Sequence, residues 1–217
     1  GADIVILAAP PKANRKMLVM AGENRELKHC LIVDVGSTKR VICALGRKLS
    51  FGGETQFVGC HPMAGTEKSG YYHAEKGLFR GNPWFVDSKV KLTRENRDKL
   101  QWLTHSLQAQ IVKISANDHD HIVATMSHLP QFLSTLLAAQ LSPKMLRLAG
   151  PGLRSLFRLA GSPYALWADI IEENSKEIVD ALTVFRDNLT TIISQVKKKE
   201  SLKSAFDSAV RSYRCLS

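Results

Sequence analysis

Short, continuous apolar segments dominate the first half of the chain. They are residues 3–9, 29–35, 56–60, 83–87 and 110–114. Their length and branched side chains are typical of strands buried on both faces, as in a parallel sheet. Helical patterns separate several of them, at residues 13–27, 39–49 and 93–107, the last with Thr93 as its cap. Strands that alternate with helices predict a parallel α/β layer up to about residue 115.

The periodicity changes after residue 117, where apolar positions recur at steps of three and four residues. This pattern predicts a helix of about 23 residues with Pro130 inside it, where proline kinks the backbone. A longer helix is predicted at residues 167–199 and an amphipathic one at residues 202–213. In the longer helix a heptad pattern suits a subunit interface. Its members are Ile171, Ile178, Leu182, Phe185, Leu189, Ile192 and Val196.

These patterns divide the chain into an α/β domain, residues 1–115, and an all-helical domain, residues 116–217. The chain opens directly on an apolar strand, and its sequence contains no GxGxxG motif. Either the first domain is a small, complete α/β unit, or it is the C-terminal half of a Rossmann-like parallel-sheet domain. The exposed edge of such an apolar strand would invite aggregation, which favours the second interpretation.

Composition narrows the choice of partners. The net charge is +10, but the basic residues are dispersed and not interleaved with stacking aromatics, so we expect no nucleic-acid partner. The longest apolar run, residues 4–11, is too short to span a bilayer, and no signal peptide is visible. Four widely spaced cysteines, Cys30, Cys43, Cys60 and Cys215, suggest reduced thiols. We therefore expect a cytoplasmic protein without a membrane partner.

Candidate chemistry begins in the segment VGCHPMAGTEKSG, residues 58–70. His61 follows the third predicted strand, and the carboxyl ends of strands are where open α/β sheets bind ligands. The glycines of this segment allow close approach of the backbone to a ligand, although a simple turn has the same composition. Ser37 follows the second strand and is a plausible N-cap of the next helix.

The helical half adds a second group of candidates. Pro130 lies beside three polar residues of an otherwise apolar helix, Ser127, His128 and Gln131, which either form a site or are satisfied core groups. Arg154 and Arg158 are one helical turn apart, and either form a surface stripe or hold a carboxylate. Residues 118–121 alternate aspartate and histidine, which we interpret as a helix-start charge and cap cluster, so no metal is expected.

Six segments together resemble the prephenate/arogenate dehydrogenase family. They are DIVILAAP (3–10), DVGSTK (34–39), GCHPMAGTEKSG (59–70), LFRGNPW (78–84), HDHIVATMSHLPQ (119–131) and GLRSLFRLAGSPYALWADI (152–170). The resemblance implies an N-terminal nicotinamide-dinucleotide domain and a C-terminal helical domain that forms a homodimer. It also implies oxidative decarboxylation of prephenate or arogenate, with NAD or NADP as cofactor, in tyrosine biosynthesis. The alternative is a truncated, non-catalytic dimerisation or regulatory module of the same family.

The resemblance also implies residue roles. His61 would accept the proton of the substrate's ring hydroxyl, Ser37 would lie between that hydroxyl and the nicotinamide, and Arg158 would bind a substrate carboxylate. The implied substrate-binding residues are Thr66, Glu67, Ser127, His128, Gln131 and Arg158, and the cofactor-binding residues are Ala9, Pro10, Gly36 and Ser37. The chain departs from the family at Gln131, where histidine is frequent, and at Ser155 and Phe157.

Overall fold

The computed structural model describes residues 2–65 and 70–215, and within them five strands form one sheet in the order β1-β2-β3-β4-β5. The strands are β1 (Ile4–Leu7), β2 (Leu31–Asp34), β3 (Gln56–Pro62), β4 (Pro83–Asp87) and β5 (Gln110–Ile114). All five predicted strands are therefore confirmed. Neighbouring strands are parallel except β3 and β4, which pair antiparallel, so the predicted wholly parallel layer is wrong at this one pair. In the described part of the β3–β4 connection only a 3₁₀ turn, Tyr71–His73, is helical, and without a crossover helix the chain returns antiparallel.

Helices cover both faces of the sheet and build the whole second half. They are α1 (Pro11–Glu23), α2 (Arg40–Gly46), α3 (Arg94–Ser106), α4 (Ala116–Val123), α5 (Leu129–Gln140), α6 (Pro143–Leu146), α7 (Pro151–Phe157), α8 (Tyr164–Glu173), α9 (Ser175–Lys197) and α10 (Lys203–Arg214). All four residues of β2 are buried, as its unbroken apolar pattern predicts. One apolar core packs Leu18 and Ile42 against the sheet, and the other packs Leu100 and Leu103 of α3. The predicted class, α/β followed by all-α, is confirmed.

The predicted helix with an internal proline is one helical stretch, Ala116–Gln140, with a π-helical turn at Ala124–His128 between α4 and α5. The irregularity expected at Pro130 takes this form, because the π turn ends just before the proline. By length and composition alone the stretch is apolar enough to cross a membrane. Its His119, Asp120 and His128 are buried against the rest of the chain, so we interpret it as a helix of the folded domain.

The predicted long helix at residues 167–199 is interrupted, because Asn174 separates α8 from α9. The Asn174 side chain is fully buried and donates to the backbone carbonyl of Asp120 over 2.8 Å. Its Oδ1 accepts a hydrogen bond from Arg40 over 3.0 Å. The backbone leaves the helix at this residue, while its side-chain amide contacts α2, α4 and His128 of the π turn. The hydrophobic periodicity does not predict this tertiary constraint.

Polar contacts fix the helical half to the sheet half. The backbone N–H of Lys12 donates to Asp169 over 3.0 Å, and Arg15 pairs with Glu173 over 3.3 Å. Thr38 donates to the same glutamate over 2.6 Å. These contacts place α8 across the carboxyl ends of β1 and β2, where they form one wall of the candidate site.

Candidate active site

The first cavity, of about 710 Å³, opens at the carboxyl ends of β1 and β2. All four predicted cofactor-binding residues line it: Ala9, Pro10, Gly36 and Ser37. Leu166, Trp167 and Ile170 of α8 line it as well. The position is the one where open α/β sheets bind ligands, and the small residues at the strand ends leave room for a ligand beside the backbone.

A second cavity, of about 350 Å³, adjoins the first. It is lined by the three predicted catalytic residues Ser37, His61 and Arg158, and by Ser127 and Gln131. Four residues line both cavities, so the two are continuous: Ser37, Ala64, Ser162 and Trp167. A single chain therefore brings a histidine from β3 and an arginine from the helical half to one pocket.

Three predicted substrate-binding residues stand apart. Thr66 and Glu67 lie outside the described residues. His128 is only 2% exposed, and within the described chain it lines neither cavity. Its Nδ1 accepts a hydrogen bond from Asn174 over 3.3 Å, and its ring packs edge-on against Trp167 at 5.6 Å between centroids. The structure thus places His128 behind the pocket wall that Trp167 forms.

The cap predicted at Ser37 is wrong, because a distant carboxylate supplies it. Helix α2 begins at Arg40, and Asp120 of α4 accepts the backbone N–H groups of Lys39 and Arg40 over 2.8 and 2.9 Å. A carboxylate at a helix N-terminus satisfies free donors and complements the helix dipole. Ser37 is left half-buried at the junction of the two cavities.

A chain of hydrogen bonds extends from His61 into the interior. His61 Nδ1 lies 2.9 Å from His119 Nε2, and His119 Nδ1 lies 2.8 Å from Asp120 Oδ1. The His119 ring also packs edge-on against Phe85, the residue that pairs with His61 across β3 and β4. The sequence interpretation missed both His119 and Asp120. The available signal was that His119 lies one helical turn before Val123, on the buried face of α4.

Asp118 and His121, which flank His119 and Asp120 in the sequence, make contacts outside this chain of hydrogen bonds. Asp118 pairs with Ser115 at the start of α4, over 2.6 Å between side chains. His121 contacts Glu177 of α9 over 3.0 Å. The four alternating residues at 118–121 therefore do not act as one cluster: only Asp118 has the predicted cap role, His119 and Asp120 contact each other, and His121 contacts α9.

Burial dominates the titration of the site. It lowers the pKa of His61 well below 6.5, and repulsion from His119 or His128, whenever either is protonated, and from the Lys39 ammonium acts in the same direction. Burial also lowers the pKa of His119, against the opposing effect of Asp120, and lowers that of His128 to about 4. Burial alone would raise the pKa of Asp120, but hydrogen bonds from His119, Arg40 and Lys39 lower it overall. At neutral pH the site thus holds neutral imidazoles and an ionised Asp120.

Three polar contacts hold the strand ends beside the first cavity. Lys39 and Asp34 form an ion pair in which both side chains are almost fully buried. Asn14 donates to Asp34 over 2.7 Å, and its Oδ1 accepts the backbone N–H of Ala9 over 2.8 Å. This network fixes the ends of β1 and β2, and the sequence analysis assigned no role to its side chains, those of Asn14, Asp34 and Lys39.

The segment that carries Arg158 is fastened to α5 by one hydroxyl. Ser134 is fully buried, donates to the Leu156 carbonyl over 2.7 Å and accepts the Ala160 N–H over 3.1 Å. These bonds bracket Arg158 on both sides. The position of the guanidinium in the pocket therefore depends on α5.

Comparison with known families gives two matches that together span almost the whole chain. Residues 1–113 match the model described as prephenate dehydrogenase, nucleotide-binding domain. Residues 115–207 match the model described as prephenate dehydrogenase, dimerization domain.

Individual relatives agree with these matches. The prephenate dehydrogenase of Lactococcus lactis is 32% identical over 92% of this chain, which spans only 56% of that relative. The cyclohexadienyl dehydrogenase of Zymomonas mobilis is 30% identical over 89% of this chain, which spans 69% of it. A crystal structure of A. aeolicus prephenate dehydrogenase, in complex with hydroxyphenyl propionate and NAD+, has a TM-score of 0.84. It shares 22% identity, with 99% of this chain and 77% of that chain covered, and so supports the fold.

Proposed function

Because the chain belongs to the prephenate dehydrogenase family, we propose that it acts in the oxidative decarboxylation of prephenate or arogenate with NAD or NADP. The observation that carries the proposal is the shared pocket of His61 and Arg158, which is continuous with the groove at the ends of β1 and β2. A base, a carboxylate-binding cation and a nucleotide groove in contact are what this reaction requires.

His61 is the base in this proposal. The ring hydroxyl of the substrate must lose a proton as its carbon is oxidised, and a neutral imidazole accepts one at neutral pH. Because Nδ1 of His61 is occupied by His119, Nε2 is the ring nitrogen that remains for the substrate. The lowered pKa keeps this nitrogen unprotonated over the whole physiological range.

Binding and alignment come from the other residues of the pocket. Arg158 holds a substrate carboxylate, since a guanidinium forms strong, directional, charge-assisted hydrogen bonds with that group. Ser37, at the junction of the two cavities, aligns the hydroxyl with the cofactor. Ala9, Pro10 and Gly36 line the side of the groove that the nicotinamide nucleotide would occupy, and the bound nucleotide supplies hydride acceptance.

Steady-state turnover of prephenate and of arogenate, each with NAD and with NADP, tests this proposal. His61→Asn should reduce kcat/KM by about 100-fold or more, because it removes the general base. Arg158→Ala should raise KM by about tenfold or more, since it removes a charge-assisted contact. His105→Asn, an exposed histidine on α3, is the control and should leave both constants unchanged. A His61→Asn enzyme within a few-fold of wild type would contradict the assigned base.

A non-catalytic dimerisation or regulatory module is the second candidate, favoured by the match of residues 115–207 to a dimerization domain. The same assay separates the two, because a non-catalytic module shows no turnover with either substrate or cofactor.

The assembly in the enzyme proposal is a cytoplasmic homodimer formed through the C-terminal helices. We place the division between the cofactor domain and the helical domain at residues 115 and 116.

A further inference from the structure

We propose that His119 and Asp120 are positioning residues that fix the tautomer of His61, with the proton on Nδ1 and the lone pair of Nε2 directed to the pocket. The two residues do not line the pocket themselves. Their effect is transmitted through the imidazole of His61. The catalytic consequence rests on the proposed function, whereas the tautomer itself does not.

The direction of the chain follows from its inner end. An ionised carboxylate only accepts hydrogen bonds, and Asp120 already accepts two from the backbone N–H groups of Lys39 and Arg40. Those two donors hold the carboxylate in its ionised form. The contact between Asp120 Oδ1 and His119 Nδ1 therefore requires a proton on His119 Nδ1.

The next step sets the tautomer of His61. His119 is 1% exposed, and burial lowers its pKa, so its ring is neutral and carries only the Nδ1 proton. Its Nε2 must then accept, and the 2.9 Å contact with His61 Nδ1 requires that His61 donates. A neutral His61 has no second ring proton, which leaves Nε2 as an acceptor.

The tautomer of His61 decides whether the ring can act as the base. In the opposite tautomer Nε2 carries a hydrogen and cannot accept a proton from a hydroxyl. When His61 does accept one, positive charge develops near the Lys39 ammonium, which opposes it. Asp120, one imidazole away, and Asp34, which pairs with Lys39, are the carboxylates that offset this charge.

The same carboxylate also connects the two sides of the pocket. Through its backbone contacts Asp120 holds the start of α2, directly after the segment that carries Ser37. Through His119 it holds His61 on β3. One acidic residue of the helical half thus sets the position of two groups that the sheet half contributes.

Nitrogen-15 NMR of the imidazole rings measures the tautomer without any turnover. In protein labelled at histidine, at neutral pH, we expect the His61 signals to show a protonated Nδ1 and an unprotonated Nε2, with assignment by their loss in His61→Asn. In His119→Phe, which removes the acceptor, His61 should lose this single tautomer. In His119→Gln, whose amide oxygen can still accept from Nδ1, it should be largely kept, and His105→Gln should not alter it. A wild-type His61 protonated at Nε2 overturns the inference.

Kinetics give the second measurement. His119→Phe should lower kcat by about 30-fold or more with little change in KM, while His119→Gln should recover most of that loss, because a correctly oriented general base contributes about 10²–10⁴-fold. Equal kcat values for His119→Phe and His105→Gln would overturn the positioning role. Absence of wild-type turnover with the expected NMR tautomer would overturn the proposed function and leave the tautomer assignment standing. If His119→Phe does not fold, the wild-type spectrum and His119→Gln still decide the question.

Discussion

At the level of single residues, the stability of the α/β half depends on the buried ion pair between Lys39 and Asp34. Both side chains are at most 2% exposed. Lys39→Met should lower the free energy of unfolding by about 3–5 kcal/mol, because it leaves a buried carboxylate without its counter-ion. Urea unfolding followed by circular dichroism measures this change. Lys176→Met, which breaks an exposed pair with Asp180, is the control and should leave the midpoint unchanged. A loss below about 1 kcal/mol for Lys39→Met would contradict this interpretation.

The candidate residues illustrate what the sequence can and cannot predict at this level. Ser37 follows β2 and His61 lies near the end of β3, so their place at the carboxyl ends of the strands was predictable from the apolar pattern alone. The meeting of His61 with Arg158 required the family resemblance, since no local pattern joins positions so far apart. The pair of His119 and Asp120 was missed because alternating acidic and histidine residues are also typical of the first turn of a helix. Only the folded chain shows that Asp120 caps a different helix, α2.

At the level of elements, strand positions were predictable and helix continuity was not. The five apolar segments became the five strands of the described sheet, and the local signal is clearest in β2, where burial on both faces requires an unbroken apolar run. The break between α8 and α9 has no signal in the hydrophobic pattern, since the apolar spacing of Ile171 and Ile178 continues across Asn174. That residue ends the helix to satisfy Asp120, Arg40 and His128, and these partners lie elsewhere in the sequence.

The contact between α5 and the Arg158 segment gives a prediction at the same level. Ser134→Ala leaves the Leu156 carbonyl and the Ala160 N–H without their buried partner, at a cost of about 1–3 kcal/mol. Without these two bonds the segment that carries Arg158 is held less firmly, so KM should rise several-fold while kcat changes less. Steady-state kinetics with the preferred substrate measures the split. Ser142→Ala, which removes an exposed cap of α6, is the control, and an unchanged KM in Ser134→Ala would contradict the role of α5.

At the level of the whole molecule, three histidines at the junction of the two halves link stability to pH: His119 and His128, which are buried, and His61, which is half-buried in the pocket wall. The pKa values of His61, His119 and His128 are lowered in the folded chain, whereas in the unfolded chain each is near 6.5. Below pH 6.5 the unfolded state binds more protons, so the free energy of unfolding must fall as the pH is lowered.

His128 alone, with a folded pKa of about 4, accounts for about 3 kcal/mol of this loss between pH 6.5 and pH 4. Urea titrations across that range should show the decline, and His128→Gln should flatten it. Burial raises the pKa of Glu173, which favours the folded state as the pH falls, but this is one group against three. A profile that is flat down to pH 4.5 would contradict the buried, neutral state of these histidines.

The last prediction concerns assembly. The C-terminal half of α9 and one face of α10 expose apolar side chains, with Ile193 at 46% and Phe206 at 69% exposure. The first part of the predicted heptad seam packs within the chain, where Ile178 is only 4% exposed, so we expect the interface toward the C-terminal end. Exposed apolar side chains on one helix face are typical of a subunit interface, and a charge among them opposes association because it must be desolvated. Ile193→Glu should therefore convert a dimer to a monomer in light scattering at micromolar concentration. Thr191→Glu, on the opposite face of α9, should remain dimeric, and a dimer that survives Ile193→Glu would exclude this surface as the interface.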